Sequence, residues 1–182
     1  MAAICVYCSS ADSIAASYLE LATELGARLA GAGHSLVSGG GRASMMGAVA
    51  RAARAGGAHT VGVIPKHLIA YEVADTDADE LVVVDTMRER KRIMDERSDG
   101  FLALPGGIGT LEELFEVWTA GALGMHAKPV VLLDPDGFFD GLLDYLESLQ
   151  ARGFVRRTAL DTLLRARSVE QALTLLGTAL AT

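Results

Sequence analysis

The chain is poor in the residues that would place it in several protein classes. Its 182 residues include only 2 cysteines, Cys5 and Cys8, and without a second pair this C-x-x-C favours ordinary strand and loop cysteines over a zinc or redox pair. No run of about 18 apolar residues predicts a membrane-spanning helix. The N-terminus also lacks the charged and apolar regions of a signal peptide, so we expect a cytoplasmic protein with no membrane partner.

Basic residues are outnumbered as well. Lys and Arg number 16 against 23 Asp and Glu, and the net charge of −7 disfavours a nucleic-acid-binding protein, which needs a broad basic face. The 4 histidines show no metal-ligand spacing, no lysine follows a glycine-rich turn as in a P-loop, and no G-x-S-x-G motif is present. We therefore expect no metal, no cofactor and no serine triad.

Short apolar runs alternate with helical patterns along the whole chain. Strands are predicted near residues 3–7, 35–38, 60–64, 81–84, 101–104 and 130–133, with a weaker seventh near 163–166. Helices are predicted near residues 14–32, 44–55, 87–97, 110–123, 137–151 and 169–180. This alternation is typical of a Rossmann-like α/β fold, an open parallel sheet of six or seven strands with helices on both faces. The length favours a single domain over residues 1–182.

Four unusual loops are expected to meet at one edge of that sheet. In an open parallel sheet, the segments that follow the strands gather at the carboxyl edge, where ligands bind. These segments are CSSADS at 8–13, SGGGRASMMG at 38–47, TMRERK at 86–91 and PGGIGT at 105–110. The sequence therefore predicts a ligand site at this edge.

The glycine-rich stretch 38–47 allows two interpretations. It departs from a dinucleotide-binding fingerprint because Ser44 stands at the third glycine position and Gly47 is out of register. Either the glycines serve a tight turn with close helix packing, or they let the backbone approach a ligand closely. The sequence alone supports both.

The stretch PGGIGTLEE at 105–113 is predicted to lie at a strand-to-helix turn. The backbone N–H groups from Gly107 to Thr110 and the Thr110 hydroxyl would suit one phosphate group at a helix N-terminus. The alternative is a capping box, because Thr110 and Glu113 have the T-x-x-E spacing that satisfies the first amides of a helix. Capping would explain Thr110 and Glu113 but not the three glycines.

The basic run RERKR at 88–92 opens a predicted helix. Charge runs are usually solvated, but cations at a helix N-terminus are unfavourable by about 0.3–1 kcal/mol each unless an anion is near. We expect that anion to be a ligand phosphate or a carboxylate such as Glu113.

These motifs together resemble the LONELY GUY family of cytokinin riboside 5′-monophosphate phosphoribohydrolases, long mislabelled as lysine decarboxylases. The resemblance covers nearly the whole chain and rests on M-x-x-R-K at 87–91 and P-G-G-x-G-T-x-x-E at 105–113. It implies Arg90 and Glu113 as the catalytic pair. The substrate contacts that it implies are Ser9, Gly40, Gly41, Glu72, Lys91, Gly106, Gly107, Ile108, Gly109, Thr110 and Thr119.

Two departures from the family pattern concern the base pocket. Ser44 and Met45 stand where the glycine-rich turn usually has a glycine and a leucine, and Arg88 stands where histidine is common. Neither removes a catalytic group, but both are expected to affect the shape of the pocket and hence substrate preference.

The implied reaction agrees with the chemistry of these groups. Cleavage of an N-glycosidic bond passes through an oxocarbenium-like ribosyl cation, which Glu113 can stabilise while it orients or deprotonates water. Arg90 either holds the Glu113 carboxylate ionised or contacts the substrate, and the sequence does not choose. We expect a hydrolase that converts a nucleoside 5′-monophosphate to a free base and ribose 5-phosphate; the alternative is a non-catalytic nucleotide-binding or carrier protein on the same scaffold.

The resemblance also implies a homodimer. Beyond its main apolar stripe, the predicted helix 110–123 carries four more apolar residues, Trp118, Ala120, Ala122 and Leu123. We therefore expect a second apolar side of this helix to pack against another chain near Trp118.

Overall fold

Seven parallel strands form one sheet in the computed structural model, which describes residues 1–181. The strands are β1 Ala3–Tyr7, β2 Ser35–Ser38, β3 Thr60–Pro65, β4 Glu80–Val84, β5 Gly100–Ala103, β6 Val130–Leu133 and β7 Leu163–Ala166. Their order across the sheet is β4-β3-β2-β1-β5-β6-β7, and each neighbouring pair is parallel. The predicted open parallel sheet is confirmed, and the weak seventh strand forms one of its edges.

Helices connect the strands. They are α1 Ala16–Gly31, α2 Ser44–Ala55, α3 Met87–Glu96, α4 Ile108–Ala122, α5 Asp140–Ala151, α6 Arg157–Leu160 and α7 Val169–Leu180, with a 3₁₀ turn at Lys66–Leu68. The 3₁₀ turn and α6 were not predicted because each is too short to show a helical period. Within residues 1–181, no helix is long and apolar enough to cross a membrane.

The helices cover both faces of the sheet, as predicted. Alternate residues of β1 point to opposite faces, so Ile4 and Val6 pack in one apolar layer and Cys5 and Tyr7 in the other. The first layer includes residues of α1, α2 and α7, and the second includes residues of α3, α4 and α5. Because both faces are covered, the central strands β1, β5 and β6 are continuous apolar runs without polar alternation.

The order of the strands reverses at β1. From β1 the chain winds outward through β2, β3 and β4, and it then crosses to β5 on the other side of β1. This reversal leaves a crevice at the carboxyl ends of β1 and β5, the position at which open α/β sheets bind ligands. Helix α3 follows the edge strand β4 but packs back against β3, which brings its first turn toward the crevice.

The side chain of Trp118 itself packs within its own chain and is not part of the exposed side of α4. Its side chain is 6% exposed. The indole N–H donates to the Ala159 carbonyl oxygen at 2.8 Å and to Thr162 Oγ1 at 3.1 Å. Trp118 therefore joins α4 to α6 and to the turn before β7 in its own chain, a contact that could not be predicted because α6 itself was not.

Candidate active site

A cavity of about 290 Å³ opens at the crevice between β1 and β5. All four loops that were expected to meet at this edge contribute to its wall, together with segment 66–79 between β3 and β4. The predicted site residues that line it are Ser9, Glu72, Arg90, Gly107, Ile108, Gly109, Thr110 and Glu113. The fold thus brings together residues that are far apart in the chain.

Two of the predicted substrate contacts line a different cavity. Lys91 and Thr119 line a neighbouring cavity of about 850 Å³, which shares Tyr7, Glu112 and Glu113 with the first. The Lys91 ammonium group is ion-paired with Glu112 and Glu116. A ligand in the first cavity would therefore meet Lys91 only across its carboxylate partners.

Arg90 lies buried at the centre of the site, with 4% of its surface exposed. Its Nε donates to the Val63 carbonyl oxygen at 3.1 Å, and its Nη2 donates to the Gly39 carbonyl oxygen at 2.8 Å. A salt bridge of 3.0 Å joins Nη2 to Glu72 Oε2. The carboxylate that pairs with Arg90 is therefore Glu72, whereas Glu113, one of the candidates left open by the sequence, makes no salt bridge with Arg90.

The glycines that follow β2 make room for Arg90. A Cβ at Gly39 would lie 2.0 Å from Arg90 Nη2, so only glycine fits there. Gly40 has φ +73°, in the left-handed region that favours glycine. Gly40 and Gly41 lie behind the cavity wall rather than in it. A tight turn with close packing, one of the two interpretations of stretch 38–47, accounts for these glycines without a ligand.

The turn after β5 forms the uncapped start of α4. The helix begins at Ile108 with Gly107 as its N-cap, and no side chain caps it. The capping-box interpretation is therefore wrong, because Thr110 lies inside the first turn of the helix. The first intrahelical bond runs from the Leu111 N–H to the Gly107 carbonyl oxygen at 3.0 Å. Within residues 1–181, the N–H groups of Ile108, Gly109 and Thr110 have no carbonyl partner.

Gly107 and Gly109 face open space in the cavity. A Cβ at either position would meet no atom of the described chain within 4 Å. Gly106 is different, since a Cβ there would lie 2.1 Å from Thr110 Oγ1, and Gly106 is not part of the wall. Packing therefore explains Gly106 but not Gly107 or Gly109. The free N–H groups and the positive end of the helix dipole at this point suit an anion.

Glu113 lies where the two cavities join. Its carboxylate makes no hydrogen bond or salt bridge with residues 1–181, unlike that of Glu72. Burial raises the pKa of the Glu113 carboxyl to about 7; the charge of Arg90 opposes this rise, and the charges of Glu112 and Glu72 add to it. A carboxylate with free acceptor sites and a pKa near neutrality can take a proton from water at physiological pH.

The cavity thus combines three chemical features. It holds a buried arginine that is paired with one glutamate, a second glutamate without a partner, and a helix start suited to an anion. Within residues 1–181, no group of three or more His, Cys, Asp or Glu residues is arranged to hold a metal ion.

The apolar part of the wall was not predicted. It includes Tyr7, Cys8, Met46, Leu68, Met87 and Met94. In the sequence these residues look like ordinary core residues, because an apolar side chain carries no chemical signal of its own. Position was the one available clue, since Cys8 follows β1 and Met87 opens α3 at the carboxyl edge.

Comparison with known proteins supports the resemblance seen in the motifs. A family model described as "Possible lysine decarboxylase" matches residues 46–176. The cytokinin riboside 5′-monophosphate phosphoribohydrolase of Mycobacterium tuberculosis is 56% identical over 170 residues, which cover 93% of this chain and 90% of that protein. The chain belongs to the cytokinin riboside 5′-monophosphate phosphoribohydrolase family. The family member named LOG from Oryza sativa subsp. japonica is 45% identical over 168 residues, or 92% of this chain and 69% of that protein.

The fold of this family member also resembles solved structures. The molybdenum cofactor carrier protein from Chlamydomonas reinhardtii superimposes with a TM-score of 0.75 at 25% identity, over 99% of this chain and 98% of that chain. This similarity supports the Rossmann-like architecture predicted from the sequence.

The two departures from the family pattern do not reach the wall of the 290 Å³ cavity. Ser44 Oγ donates to the Ala11 carbonyl oxygen at 2.6 Å, and Met45 is fully buried in the core. Arg88 is exposed and lines the neighbouring cavity. The wall of the first cavity is therefore shaped by residues other than those that depart from the family pattern.

Proposed function

We propose that the protein hydrolyses the N-glycosidic bond of a nucleoside 5′-monophosphate to a free base and ribose 5-phosphate. The observation that carries this proposal is Glu113, an unpaired carboxylate with a pKa of about 7 beside an anion-binding helix start. A protein that only binds nucleotides would need the helix start but not the carboxylate. The names of relatives that are 56% and 45% identical support the same activity.

The proposed arrangement assigns each part of the substrate to a part of the cavity. The phosphate accepts from the N–H groups of Ile108, Gly109 and Thr110. The ribose lies next to Glu113, and the base packs against apolar side chains such as Met46 and Met87. Ser9 and Glu72, which line the same cavity, remain proposed substrate contacts.

Glu113 carries the chemistry in this proposal. As the bond from C1′ to the base breaks, the ribosyl group gains positive charge, and the Glu113 carboxylate stabilises it. Glu113 also takes a proton from the attacking water, whose oxygen bonds to C1′. The departing base takes one proton from solvent and Glu113 returns its proton to solvent, so that one water is consumed overall. Arg90 contributes positive charge that opposes the rise in the pKa of Glu113, and it holds Glu72 in place.

Incubation of the purified protein with AMP tests the proposal. We expect adenine and ribose 5-phosphate in equal amounts, at the same rate with and without EDTA, because the proposed chemistry uses no metal. Binding of AMP without release of adenine would contradict hydrolysis and favour the carrier alternative. Competition between AMP and isopentenyladenosine monophosphate measures the preferred base.

Removal of the 5′-phosphate is expected to lower kcat/KM by at least about tenfold, because adenosine cannot use the helix start to position its glycosidic bond.

The change Gly109→Ala is expected to weaken AMP hydrolysis while it leaves adenosine hydrolysis and folding unchanged. A Cβ at Gly109 meets no protein atom within 4 Å but enters the proposed phosphate position. Equal kcat/KM for AMP and adenosine would contradict the phosphate assignment.

We also propose a cytoplasmic homodimer. The two cysteines are free and buried, which fits a reducing compartment. Four large apolar side chains are exposed around these cavities: Leu123 and Met125 line the cavity of about 850 Å³, Ile108 lines the cavity of about 290 Å³, and Phe154 lies beside α6. Leu123 lines both that cavity and another of about 410 Å³ beside α6. A second copy over this surface would cover the open side of the site next to Glu113.

Light scattering tests the dimer. Wild-type protein is expected at about twice 19.1 kDa, and Leu123→Glu at 19.1 kDa. Leu123 is 72% exposed in the single chain, so a charge there should leave the fold intact. Tyr71→Glu, which changes another exposed apolar residue, serves as the control and is expected to keep the dimer mass. A monomeric wild-type protein with full activity would contradict this proposal.

A further inference from the structure

Glu72 reaches the site on a segment that contains no strand and no α-helix. Segment 66–79 joins β3 to β4 and consists of the 3₁₀ turn, further turns and bends, and an isolated bridge between Ala74 and Gly41; Asp79 at its end accepts from the Thr60 N–H and hydroxyl. Asp75, which is 4% exposed, is the only buried residue within it. The position of Glu72 beside Arg90 therefore depends on the contacts that fix this segment.

Asp75 holds the segment through its side chain and its backbone. Arg54 Nη1 donates to Asp75 Oδ2 at 2.8 Å, and Nη2 donates to Oδ1 at 3.1 Å. The Asp75 N–H also donates to the Gly40 carbonyl oxygen at 2.8 Å. Arg54 belongs to the last turn of α2. Asp75 therefore connects the segment to this helix through its side chain, and to the glycine-rich turn beside Arg90 through its backbone N–H. Bidentate, charge-assisted pairs of this kind are among the strongest hydrogen bonds in proteins.

The backbone between Glu72 and Asp75 is strained. Val73 has φ +51°, a left-handed conformation that a β-branched residue rarely adopts. Its carbonyl oxygen accepts from the Arg42 N–H at 2.8 Å. Such a conformation persists only where surrounding contacts impose it. We expect loss of the Arg54–Asp75 pair to let the backbone at Val73 relax and to loosen the contact of Glu72 with Arg90.

We propose that Arg54 and Asp75 are positioning residues for Glu72. Neither lines the cavity, and they act by fixing segment 66–79 so that Glu72 meets Arg90 at 3.0 Å. The expected loss of AMP hydrolysis on removing this pair rests on the proposed function. The expected loosening of segment 66–79 can be measured whether or not the protein hydrolyses AMP.

A double-mutant cycle tests the kinetic consequence. Asp75→Asn is expected to lower kcat/KM for AMP by roughly tenfold, since a small displacement of a positioned group has effects of this size or larger. In a Glu72→Gln background, Asp75→Asn is expected to change kcat/KM by no more than about twofold, because its effect passes through Glu72. An equal loss in both backgrounds would mean that Asp75 acts by another route and would overturn the proposal.

Hydrogen exchange of the full chain tests the structural consequence. Asp75→Asn is expected to speed exchange of the Glu72 N–H, which donates to the Leu68 carbonyl oxygen at 2.8 Å, and of the Asp75 N–H. Peptides of α5 should be unaffected. Arg54→Lys, which keeps the charge but not the bidentate geometry, should give an intermediate effect in both experiments. If Asp75→Asn does not fold, Arg54→Lys replaces it in each.

An ion pair far from the segment provides the matched control. Arg157 donates two hydrogen bonds to Glu147, at 2.9 and 2.6 Å, on the exposed surface near α6. Glu147→Gln is expected to change neither kcat/KM nor exchange in segment 66–79. Unchanged exchange in this segment after Asp75→Asn would overturn the proposal. If the wild-type protein does not hydrolyse AMP but Asp75→Asn still speeds exchange in segment 66–79, the anchoring role is supported and only the proposed function is contradicted.

Discussion

Replacement of Glu113 with glutamine is expected to lower kcat for AMP hydrolysis by roughly 10²- to 10³-fold and to leave AMP affinity almost unchanged. Glutamine keeps the size of the side chain, but it has no negative charge to face the ribosyl cation and cannot take a proton from water. The fold should not suffer, because the Glu113 carboxylate bonds to no other residue in 1–181. Single-turnover rates and equilibrium binding of AMP measure the two effects separately.

A neighbouring glutamate provides the control for Glu113. Glu116 lies one turn further along α4, lines the neighbouring cavity and pairs with Lys91. Glu116→Gln removes the same charge from the same helix and is expected to change kcat by no more than about twofold. Wild-type turnover in Glu113→Gln would show that Glu113 is not the catalytic carboxylate.

The pH dependence gives a second, independent readout for Glu113. Its pKa of about 7 means that kcat/KM should fall as the pH drops below neutrality, since the carboxylate then becomes protonated. Because the folded pKa exceeds the ordinary value of 4.5, the folded state binds more protons between these values, and stability decreases as the pH rises through this range. Glu113→Gln should therefore raise Tm at about pH 8 and change it little at about pH 5. A similar Tm shift at both pH values would contradict the raised pKa.

Replacement of Arg90 with methionine is expected to reduce both activity and stability. The change leaves the Glu72 carboxylate without its cation and the Val63 and Gly39 carbonyl oxygens without their donor. Loss of one partner of a buried ion pair typically costs roughly 3–5 kcal/mol of stability. We expect kcat/KM to fall on the order of 10²-fold, because both the position of Glu72 and the positive charge near Glu113 are lost. Denaturant unfolding and steady-state kinetics measure these losses.

Two further variants separate the causes of that loss. Arg92→Met changes an exposed arginine on the same helix, which pairs with Glu96, and should change stability by no more than about 0.5 kcal/mol. The double change of Arg90 and Glu72 to methionine removes both charges of the pair and should regain much of the stability without regaining activity. Wild-type stability in the single Arg90→Met variant would show that the Arg90–Glu72 pair is not buried in solution.

The fold could be predicted because its signals are local and periodic. The strand near 163–166 was weak in the sequence, yet it appears as β7 because it pairs with β6 at the edge of the sheet. Helix boundaries were less certain. Helix α4 begins at Ile108 rather than at residue 110, since Ile108 and Gly109 are poor signals for a helix start.

The capping motifs show where a local pattern is insufficient. The T-x-x-E spacing occurs at Thr86 and Glu89 as well as at Thr110 and Glu113, and only the first pair forms a capping box. Thr86 precedes its helix with extended backbone, so its hydroxyl accepts from the Glu89 N–H at 3.2 Å. Thr110 lies within the first turn of α4 instead of preceding it, and this leaves the helix start uncapped and Glu113 without a capping role.

The sequence by itself determined the seven strands and six longer helices along the chain, the edge at which the loops gather, and the residue types that carry the chemistry. Each of these follows from apolar periodicity or from the chemical identity of single residues. Only the tertiary structure decided that Arg90 pairs with Glu72, 18 positions away, and that Trp118 bonds to Ala159, 41 positions away. It also decided that Glu113 has no partner within residues 1–181. Such pairings depend on how distant segments approach one another, and this approach is set by the packing of the whole sheet and its helices rather than by any local pattern.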